Sequence, residues 1–135
     1  MSLAFRRFAP ADLPGVIALC AAEGWPSFPE DPGRALRALT APGVTTVVAA
    51  APDGRVAGFA QLLSDGEIQA HLSLIAVDPD FRRQGVARGL LDLGLRLAGG
   101  VRIDLVTDSA PDFYLALRHR RFEGFRLYPP FQDAE

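Results

Sequence analysis

Two spacings of hydrophobic residues alternate along the chain, and they predict strands and helices in turn. Short runs that are apolar, or that alternate every second residue, predict strands, and longer segments with one apolar face predict helices. The predicted strands are Leu3–Phe8, Thr45–Ala50, Arg55–Leu63, Glu67–Val77, Val101–Thr107 and Gly124–Tyr128. The predicted helices are Leu13–Glu23, Pro32–Leu39, Gln84–Ala98 and Pro111–Arg118.

Polar and small residues at the ends of the apolar segments locate the helix boundaries. Asp12 and Asp31 are N-cap candidates, Pro32 suits the first turn of a helix, and Gly24 suits a helix end. The proline-rich segment from Gly24 to Gly33 is predicted to be a loop.

The turns determine how these elements connect. Turn residues at 51–54 and 64–66 join three successive strands into an antiparallel meander. The fourth and fifth strands are joined through a helix, and such a crossover makes them parallel. The sequence therefore predicts an α+β fold with a mixed sheet, in a single domain of residues 1–135.

Composition and charge narrow the class of protein. The chain has 135 residues, of which 49% are hydrophobic and 22% are charged, as in an ordinary globular domain. Its net charge of −2 provides no general attraction to nucleic acid or to an acidic membrane. No apolar run approaches the ~18 residues of a membrane span, and the N-terminus lacks the apolar core of a signal peptide. We therefore expect a cytoplasmic protein without nucleic-acid or membrane partners.

The single cysteine, Cys20, excludes an intrachain disulfide and a multi-cysteine metal site. Its apolar helical context, VIALCAAEG, predicts a buried side chain rather than a reactive thiol. No metal is expected.

The stretch FRRQGVARG, residues 81–89, combines three arginines and two glycines at the start of a predicted helix. A helix N-terminus has unpaired backbone N–H groups and the positive end of the helix dipole. Small residues let a ligand reach that backbone and arginines add charge, so the pattern suits a phosphate or pyrophosphate group. The alternative is a solvated helix start that is rich in arginine. Neither the dinucleotide fingerprint nor the P-loop fits, because the glycine spacing differs and the chain has no lysine.

The longer string LSLIAVDPDFRRQGVARGLLD resembles the core motif of the GNAT superfamily of N-acetyltransferases. The matching hexamer runs from Arg82 to Ala87, and Val77-Asp78-Pro79 is similar to the family's usual lead-in. The predicted order of elements, β-α-α-β-β-β-α-β-α-β, extends the resemblance over nearly the whole chain. The resemblance implies a mixed, mostly antiparallel sheet with a splayed parallel pair and helices on both faces.

The resemblance also implies acetyl-CoA as the co-substrate. In the family, the pantetheine arm enters the gap between the splayed strands, and the pyrophosphate lies on the amides of the helix start. The implied cofactor-binding residues are Ile75, Ala76, Val77, Arg82, Arg83, Gln84, Gly85, Val86, Ala87, Arg88 and Asp108.

The strand before the motif has a pattern that fits a bulge. Its odd-numbered positions are polar from Glu67 to Ser73 but apolar at Ile75 and Val77. A one-residue slip would produce this switch, and so would a strand that becomes buried on both faces.

Three residues are candidates for the proton transfers. The resemblance implies Tyr114 as the acid that protonates the departing thiolate; the alternative is that Tyr114 only packs between helix and sheet. Glu67 and His71 lie on the polar face of the predicted strand and are candidate bases. The alternative for each is a solvated or hydrogen-bonded polar residue.

The acceptor side departs from the family pattern. The Gly-Phe pair that usually follows soon after the tyrosine comes later here, as Gly124-Phe125 behind a basic patch at 118–121. Trp25 and Phe28 either line an apolar acceptor pocket or anchor their loop to the core. There is room for one final strand rather than two, so a neighbouring subunit in a homodimer is a candidate to complete the site.

The expected function is transfer of an acetyl group from acetyl-CoA to a primary amine, on a small molecule or a peptide, by direct attack in a ternary complex. The alternative is a catalytically silent acyl-CoA-binding or interaction module, which keeps the pyrophosphate turn without a working acid and base. A nucleotide-binding protein that uses the same turn is a third hypothesis.

Overall fold

Five strands form one mixed sheet, in the order in which they occur along the chain. They are β1 (Ala4–Arg7), β2 (Val44–Ala50), β3 (Val56–Ser64), β4 (Gln69–Val77) and β5 (Arg102–Asp104). Neighbouring strands from β1 to β4 are antiparallel, whereas β4 and β5 are parallel. The mixed, mostly antiparallel sheet predicted from the sequence is confirmed.

The computed structural model describes residues 2–109 and 111–134, in two units divided between Leu105 and Val106. Among the described residues, the first unit contains the sheet and four α-helices, and the second contains one α-helix. The helices are α1 (Leu13–Ala22), α2 (Ser27–Glu30), α3 (Pro32–Leu39), α4 (Val86–Ala98) and α5 (Pro111–Leu115).

Helices cover both faces of the sheet. On one face, Phe59 of β3 packs in a buried core cluster with Val16 of α1 and Leu39 of α3. On the other face, Leu62 of β3 lies against Gly94 of α4. Because successive residues of a strand point to opposite faces, the odd-numbered residues of β3 face α1 and α3, and the even-numbered residues face α4.

The helix α4 lies unusually close to the sheet because glycines form the contact. A Cβ atom at Gly94 would lie 2.7 Å from Leu62 Cδ1, and one at Gly89 would lie 2.5 Å from the ring of Phe5. Both distances are shorter than a van der Waals contact, so only hydrogen fits at these positions. The helix therefore rests directly on β1 and β3.

A third glycine, Gly58 of β3, lets the first turn of α4 pack closely on the sheet. A Cβ atom at Gly58 would lie 2.9 Å from Val86 Cγ1, so the first turn of α4 packs on Gly58. Gly58 is the partner of Val77, the last residue of β4. The N-terminus of α4 is therefore placed beside the end of β4.

One extra residue interrupts the register of β4 against β3. Gln61 pairs with Leu74, but the next residue of β3, Leu62, pairs with Leu72. Ser73 is left without a partner on β3 and forms a β-bulge.

The bulge reverses which positions of β4 face α4. Leu72 lies on the α4 side with Leu62, whereas beyond the bulge Ile75 and Val77 lie on that side. The odd-numbered residues therefore change faces at Ser73, which explains why they are polar before the bulge and apolar after it. Of the two explanations open from the sequence, the one-residue slip is confirmed.

β4 begins at Gln69 rather than at Glu67, so the predicted strand start is wrong. The Asp65 carboxylate accepts hydrogen bonds from Glu67 N and Ile68 N, both at 2.8 Å. These bonds fold Glu67 into the turn between β3 and β4.

The predicted ends of three other elements are also wrong. β5 ends at Asp104 rather than at Thr107, because its pairing with β4 stops there. α4 begins at Val86 rather than at Gln84, because Gly85 has a left-handed backbone (φ 75°) that a helix cannot continue through. α5 ends at Leu115 rather than near Arg118.

The predicted loop Gly24–Gly33 contains the one-turn helix α2. Phe28 of this turn packs against the core cluster, and this tertiary contact is absent from the local proline-rich pattern. The predicted start of α3 is confirmed, because the Asp31 carboxylate accepts a hydrogen bond from Arg34 N at 3.1 Å.

The predicted final strand, Gly124–Tyr128, is wrong. No residue of the second unit that the structure describes belongs to a strand. Phe125 and Leu127 are 83% and 73% exposed, so their alternation with polar residues does not mark a buried face. A strand also needs a neighbour for its backbone hydrogen bonds, and the sheet pairings among the described residues involve only β1 to β5.

Asp12 lies at the N-cap position of α1 as predicted, but its side chain does not cap the helix. Its carboxylate instead forms a two-point ion pair with the Arg6 guanidinium of β1, at 2.7 and 2.9 Å. It also accepts a hydrogen bond from Ala9 N at 2.8 Å. The Arg6 hydrogen bonds, more than any other contact, hold the pKa of Asp12 below its usual value. This pair joins β1 to the start of α1.

Asp12→Ala should lower the free energy of unfolding by about 1–2 kcal/mol at neutral pH, because Arg6 and Ala9 N lose their acceptor. The pKa of Asp12 is lower in the folded chain than in the unfolded chain. Its stabilisation is therefore fully present above the unfolded-state pKa of ~3.9 and is lost as the pH falls through the folded-state pKa. Urea unfolding of both proteins from about pH 3 to pH 7 measures the difference.

The matched control is Asp92→Ala, at an exposed position of α4. It should change the stability by less than ~0.5 kcal/mol. A loss in Asp12→Ala that stays constant down to about pH 3 would contradict the ionic contribution of the pair.

Candidate functional site

β4 and β5 separate after three paired residues, which leaves one edge of β4 open. The parallel pairing covers only Gln69–His71 of β4 and Arg102–Asp104 of β5. Beyond His71, the sheet formed by the described residues has no strand on that side of β4. This is the splayed parallel pair that the resemblance implied.

The backbone of Ile75 and Val77 faces the open edge. Asp78 N donates to Ala57 O at 2.8 Å, so these two opposed residues form a hydrogen-bonded pair. In an antiparallel ladder, such pairs alternate with pairs whose N–H and C=O groups point outward. Val77 and Ile75 are at the outward-pointing positions. An extended ligand can therefore pair with them as a neighbouring strand would.

The N-terminus of α4 lies at the end of this edge and lacks a cap. The first helical hydrogen bond runs from Gly89 N to Gly85 O at 3.0 Å, so the N–H groups of Val86, Ala87 and Arg88 have no acceptor within the helix. No described side chain caps Gly85, and a Cβ atom at this glycine would meet nothing within 4 Å. The free N–H groups and the helix dipole together favour an anion.

The turn before α4 concentrates positive charge and backbone strain. Arg83 has φ 62°, in the left-handed region, and is the one non-glycine residue of the described chain with a positive φ. A non-glycine residue in this conformation carries a strain energy of ~1 kcal/mol or more. Such conformations occur where successive backbone N–H groups converge on an anionic ligand. Arg82, Arg83 and Arg88 are all exposed, and Arg82 also contacts Glu23 Oε1 at 3.4 Å.

A shallow depression of about 540 Å³ lies at the opposite end of β4. His71 and Asp104 line it and are direct neighbours across the parallel ladder. Because residues in register point to the same face of a sheet, the imidazole and the carboxylate lie on the same face. The depression therefore brings a potential base and an acidic residue together where β4 and β5 separate.

Glu67 lies outside this depression, in the turn that precedes β4. The structure therefore does not bring the two candidate bases together. His71 is the one beside the point where the strands separate.

A family model supports the relationship implied by the motif. Residues 13–117 match the model of the acetyltransferase (GNAT) family. The chain belongs to the GNAT acetyltransferase family.

Solved structures of acetyltransferases have the same fold. Aminoglycoside N-acetyltransferase AAC(6')-Iy in complex with CoA is 23% identical, with a TM-score of 0.78 over 94% of this chain and 93% of that chain. A proposed acetyltransferase from Deinococcus radiodurans R1 is 30% identical, with a TM-score of 0.64 over 92% and 87%. Glucosamine-6-phosphate N-acetyltransferase from Arabidopsis thaliana is 12% identical, with a TM-score of 0.71 over 95% and 99%. A comparison with curated protein sequences gave no match.

Two predicted acceptor residues of this GNAT acetyltransferase, Trp25 and Phe28, are half-buried. Both pack against the core cluster, and Trp25 N donates to Cys20 O at 2.9 Å. This packing supports the anchoring interpretation, and neither residue lines the depression beside His71. A contact between either aromatic ring and an acceptor stays a prediction.

Tyr114 and Asp108 lie in the second unit. The Tyr114 ring is half-buried in α5 and meets the ring of Phe113 edge-on, with centroids 5.1 Å apart. Burial raises the pKa of the Tyr114 phenol, so it stays protonated at neutral pH, as a general acid requires. Asp108 is exposed and lies four residues after the end of β5.

Cys20 is buried as predicted, and its environment disfavours the nucleophilic thiolate. Burial and, to a smaller extent, Glu23 raise the pKa of its thiol to about 11, so the reactive thiolate is scarce at neutral pH. Among residues 2–109 and 111–134, no three His, Cys, Asp or Glu side chains are grouped to hold a metal ion. Within the same residues, every helix is too short or too polar to cross a membrane.

Sequence reasoning missed two residues near the site. Arg55, in the turn between β2 and β3, forms ion pairs with Asp78 and Asp80 at the entrance to the arginine–glycine turn. Asp78 and Asp80 are two carboxylates next to a predicted anion site, so they need a positively charged partner. This need was the signal in the sequence that could have indicated an arginine such as Arg55. Asp104 was missed because only the register of β4 and β5 brings it next to His71.

Proposed function

We propose that this GNAT acetyltransferase transfers an acetyl group from acetyl-CoA to a primary amine by direct attack in a ternary complex. The observation that carries the proposal is the open edge of β4 beside the uncapped N-terminus of α4. The edge offers the outward-pointing backbone of Ile75 and Val77, and the helix start offers free N–H groups. A ligand with an extended arm at one end and a pyrophosphate at the other fits both features, and acetyl-CoA has that form.

The proposed donor site uses the residues predicted from the sequence. Ile75, Ala76 and Val77 hold the pantetheine arm by strand-like pairing, and the turn holds the pyrophosphate. The turn residues are Arg82, Arg83, Gln84, Gly85, Val86, Ala87 and Arg88. Asp108, from the second unit, is kept as a further donor-side residue.

The proposed reaction requires two proton transfers. The amine nitrogen attacks the thioester carbonyl carbon, a C–N bond forms, and the C–S bond breaks with its electron pair leaving on sulfur. The amine loses a proton to a base, and the thiolate gains one from an acid. Orienting both substrates in one complex supplies a large share of the rate, and backbone N–H groups stabilise the carbonyl oxygen.

His71 is the base that the geometry supports best, and Glu67 is the alternative. His71 lines the depression where β4 and β5 separate. The carboxylate of its ladder neighbour Asp104 contacts Arg102 Nε at 3.4 Å. Tyr114 is the proposed acid, supported by its half-buried and protonated phenol.

The proposed acceptor is an amine of a small molecule or a peptide. Relatives named for an aminoglycoside and for glucosamine 6-phosphate make amino sugars the first candidates. We propose further that residues 1–135 act as one GNAT-type domain of a cytoplasmic protein, and that a neighbouring subunit of a homodimer completes the acceptor side.

Incubation with acetyl-CoA and a panel of amines should release free CoA with at least one class of amine. The panel contains amino sugars, polyamines, amino acids and peptides with free N-termini, and a thiol reagent detects the CoA. Cys20 is 1% exposed and should not consume the reagent. Calorimetric binding of acetyl-CoA without turnover on any amine would instead support the catalytically silent module.

Gly85→Asp should weaken acetyl-CoA binding at least about tenfold more than Gly85→Asn does. Both side chains tolerate the left-handed backbone and have the same shape, so their difference isolates a negative charge at the helix start. Calorimetry gives the two dissociation constants.

The control pair for this experiment is Gly66→Asp and Gly66→Asn. Gly66 has φ 80° and equally open surroundings, but it lies at the other end of β4. Both control variants should bind acetyl-CoA as the parent does. Equal affinities of the two Gly85 variants would remove the turn from the anion site.

Tyr114→Phe and His71→Gln should each lower kcat by about 10²-fold without changing acetyl-CoA affinity, because each removes a proton-transfer group. Steady-state kinetics over the pH range, with the best amine of the panel, measures the effect.

Tyr128→Phe and Asp92→Asn are the controls, because both side chains are exposed. Full activity of Tyr114→Phe at every pH would assign Tyr114 to packing alone. Full activity of His71→Gln together with a loss in Glu67→Gln would transfer the role of base to Glu67.

A further inference from the structure

We infer that Arg55, which lies outside the GNAT motif, is a positioning residue that holds the donor turn and offsets two carboxylates beside it. The inference rests on the proposed function, because it concerns the same anion site. Arg55 reaches this site from the turn between β2 and β3, far from the motif in sequence.

The backbone of Arg55 is held on both sides. Its N–H donates to Asp53 Oδ1 at 2.9 Å, and its carbonyl oxygen accepts a hydrogen bond from Ala51 N at 2.8 Å. These bonds close the turn between β2 and β3. The side chain therefore projects from a fixed base.

The guanidinium of Arg55 holds three residues of the segment that leads to the turn. Its Nη2 donates to Asp78 Oδ2 at 2.9 Å and to Asp80 Oδ2 at 3.2 Å. It also lies over the ring of Phe81, 5.1 Å from the centroid, and Phe81 is buried. One side chain thus joins the β2–β3 turn to the segment between β4 and α4.

The two carboxylates belong to the segment that leads into the turn proposed to hold the pyrophosphate. Asp78 follows the last residue of β4, and the carbonyl oxygen of Asp80 accepts a hydrogen bond from Gln84 Nε2 at 3.4 Å. Hydrogen bonds from Asp80 N and Arg55 hold the pKa of Asp78 below its usual value, so its carboxylate is charged at neutral pH. Such charges repel an anionic ligand, and Arg55 offsets them at hydrogen-bond distance.

Arg82 acts on these aspartates less directly. Its guanidinium contacts Glu23 Oε1 at 3.4 Å, and it influences Asp78 only through the longer-range effect of its charge. Arg55 is the cation that forms hydrogen bonds with both aspartates.

Arg55→Met should raise the dissociation constant of acetyl-CoA about tenfold and leave kcat within about twofold of the parent. Asp80→Asn should restore most of the affinity when it is added to Arg55→Met, because it removes the charge that lost its partner. Asp80 is chosen because its side chain is 73% exposed and can be changed with little effect on packing. Arg55→Lys should lie between the parent and Arg55→Met, since it keeps the charge but loses the planar fork.

Calorimetry with acetyl-CoA at about 0.05 and 0.5 M salt separates charge from shape. The loss in Arg55→Met should shrink at the higher salt, because screening weakens the uncompensated carboxylates. Arg96→Met, on the exposed face of α4, is the control and should bind as the parent does. Thermal unfolding without ligand verifies that each variant is folded, and Arg55→Lys carries the test if Arg55→Met is not.

Each outcome decides a separate point. Unchanged affinity in a folded Arg55 variant would overturn the inference while leaving the proposed function intact. A loss that Asp80→Asn does not rescue and that salt does not reduce would overturn the charge-offsetting role. Failure of the parent protein to bind acetyl-CoA would overturn the proposed function, and the inference with it.

Discussion

The site depends on the one extra residue in β4, Ser73. Without it, the odd-numbered positions would keep one face along the whole strand, and Ile75 and Val77 would point away from α4. A bulge also bends its strand, and β4 leaves β5 within two residues of Ser73. A parallel partner that continued along β4 would occupy the backbone groups of Ile75 and Val77. The bulge therefore divides β4 into two parts. The part before it pairs with β5, and the part after it has an edge that is free for a ligand.

Close packing turns this free edge into a site with two parts. Glycines at the contact let α4 lie directly on the sheet, and the contact between Gly58 and Val86 places the helix start beside the end of β4. A glycine inside a helix costs about 1 kcal/mol relative to alanine, and α4 contains two, Gly89 and Gly94. That cost is offset by the packing it permits. The left-handed backbone of Arg83 adds strain just before the start of the same helix. The helix glycines and this strained residue are each unfavourable locally, and together they accompany the exposed N–H groups at the start of α4.

The elements that form the proposed donor site could be predicted from the sequence because they are local. The strand, the turn and the helix start follow one another along the chain, and the identities of Gly85 and its arginine neighbours indicate their chemistry. Even the bulge left a signal, in the change from polar to apolar at odd positions. The errors were of another kind. The helix turn at Phe28 depends on a tertiary contact, and the strand predicted at Gly124–Tyr128 needed a pairing partner that its alternating pattern cannot supply.

The depression beside His71 could not be predicted in the same way, because it is assembled from separate elements. His71 and Asp104 are 33 positions apart and become neighbours only through the register of β4 and β5. Arg55, beside the proposed donor turn, was missed for the same reason, because it reaches Asp78 across the sheet rather than along the chain. A net charge of −2 is compatible with the proposed anion-binding turn, because the local arrangement of charges decides the potential there. Three arginines lie near the helix start, and a fourth contacts the two carboxylates of the preceding segment. The charge that matters for the ligand is therefore set by which carboxylates already have a partner, and composition alone does not contain that information.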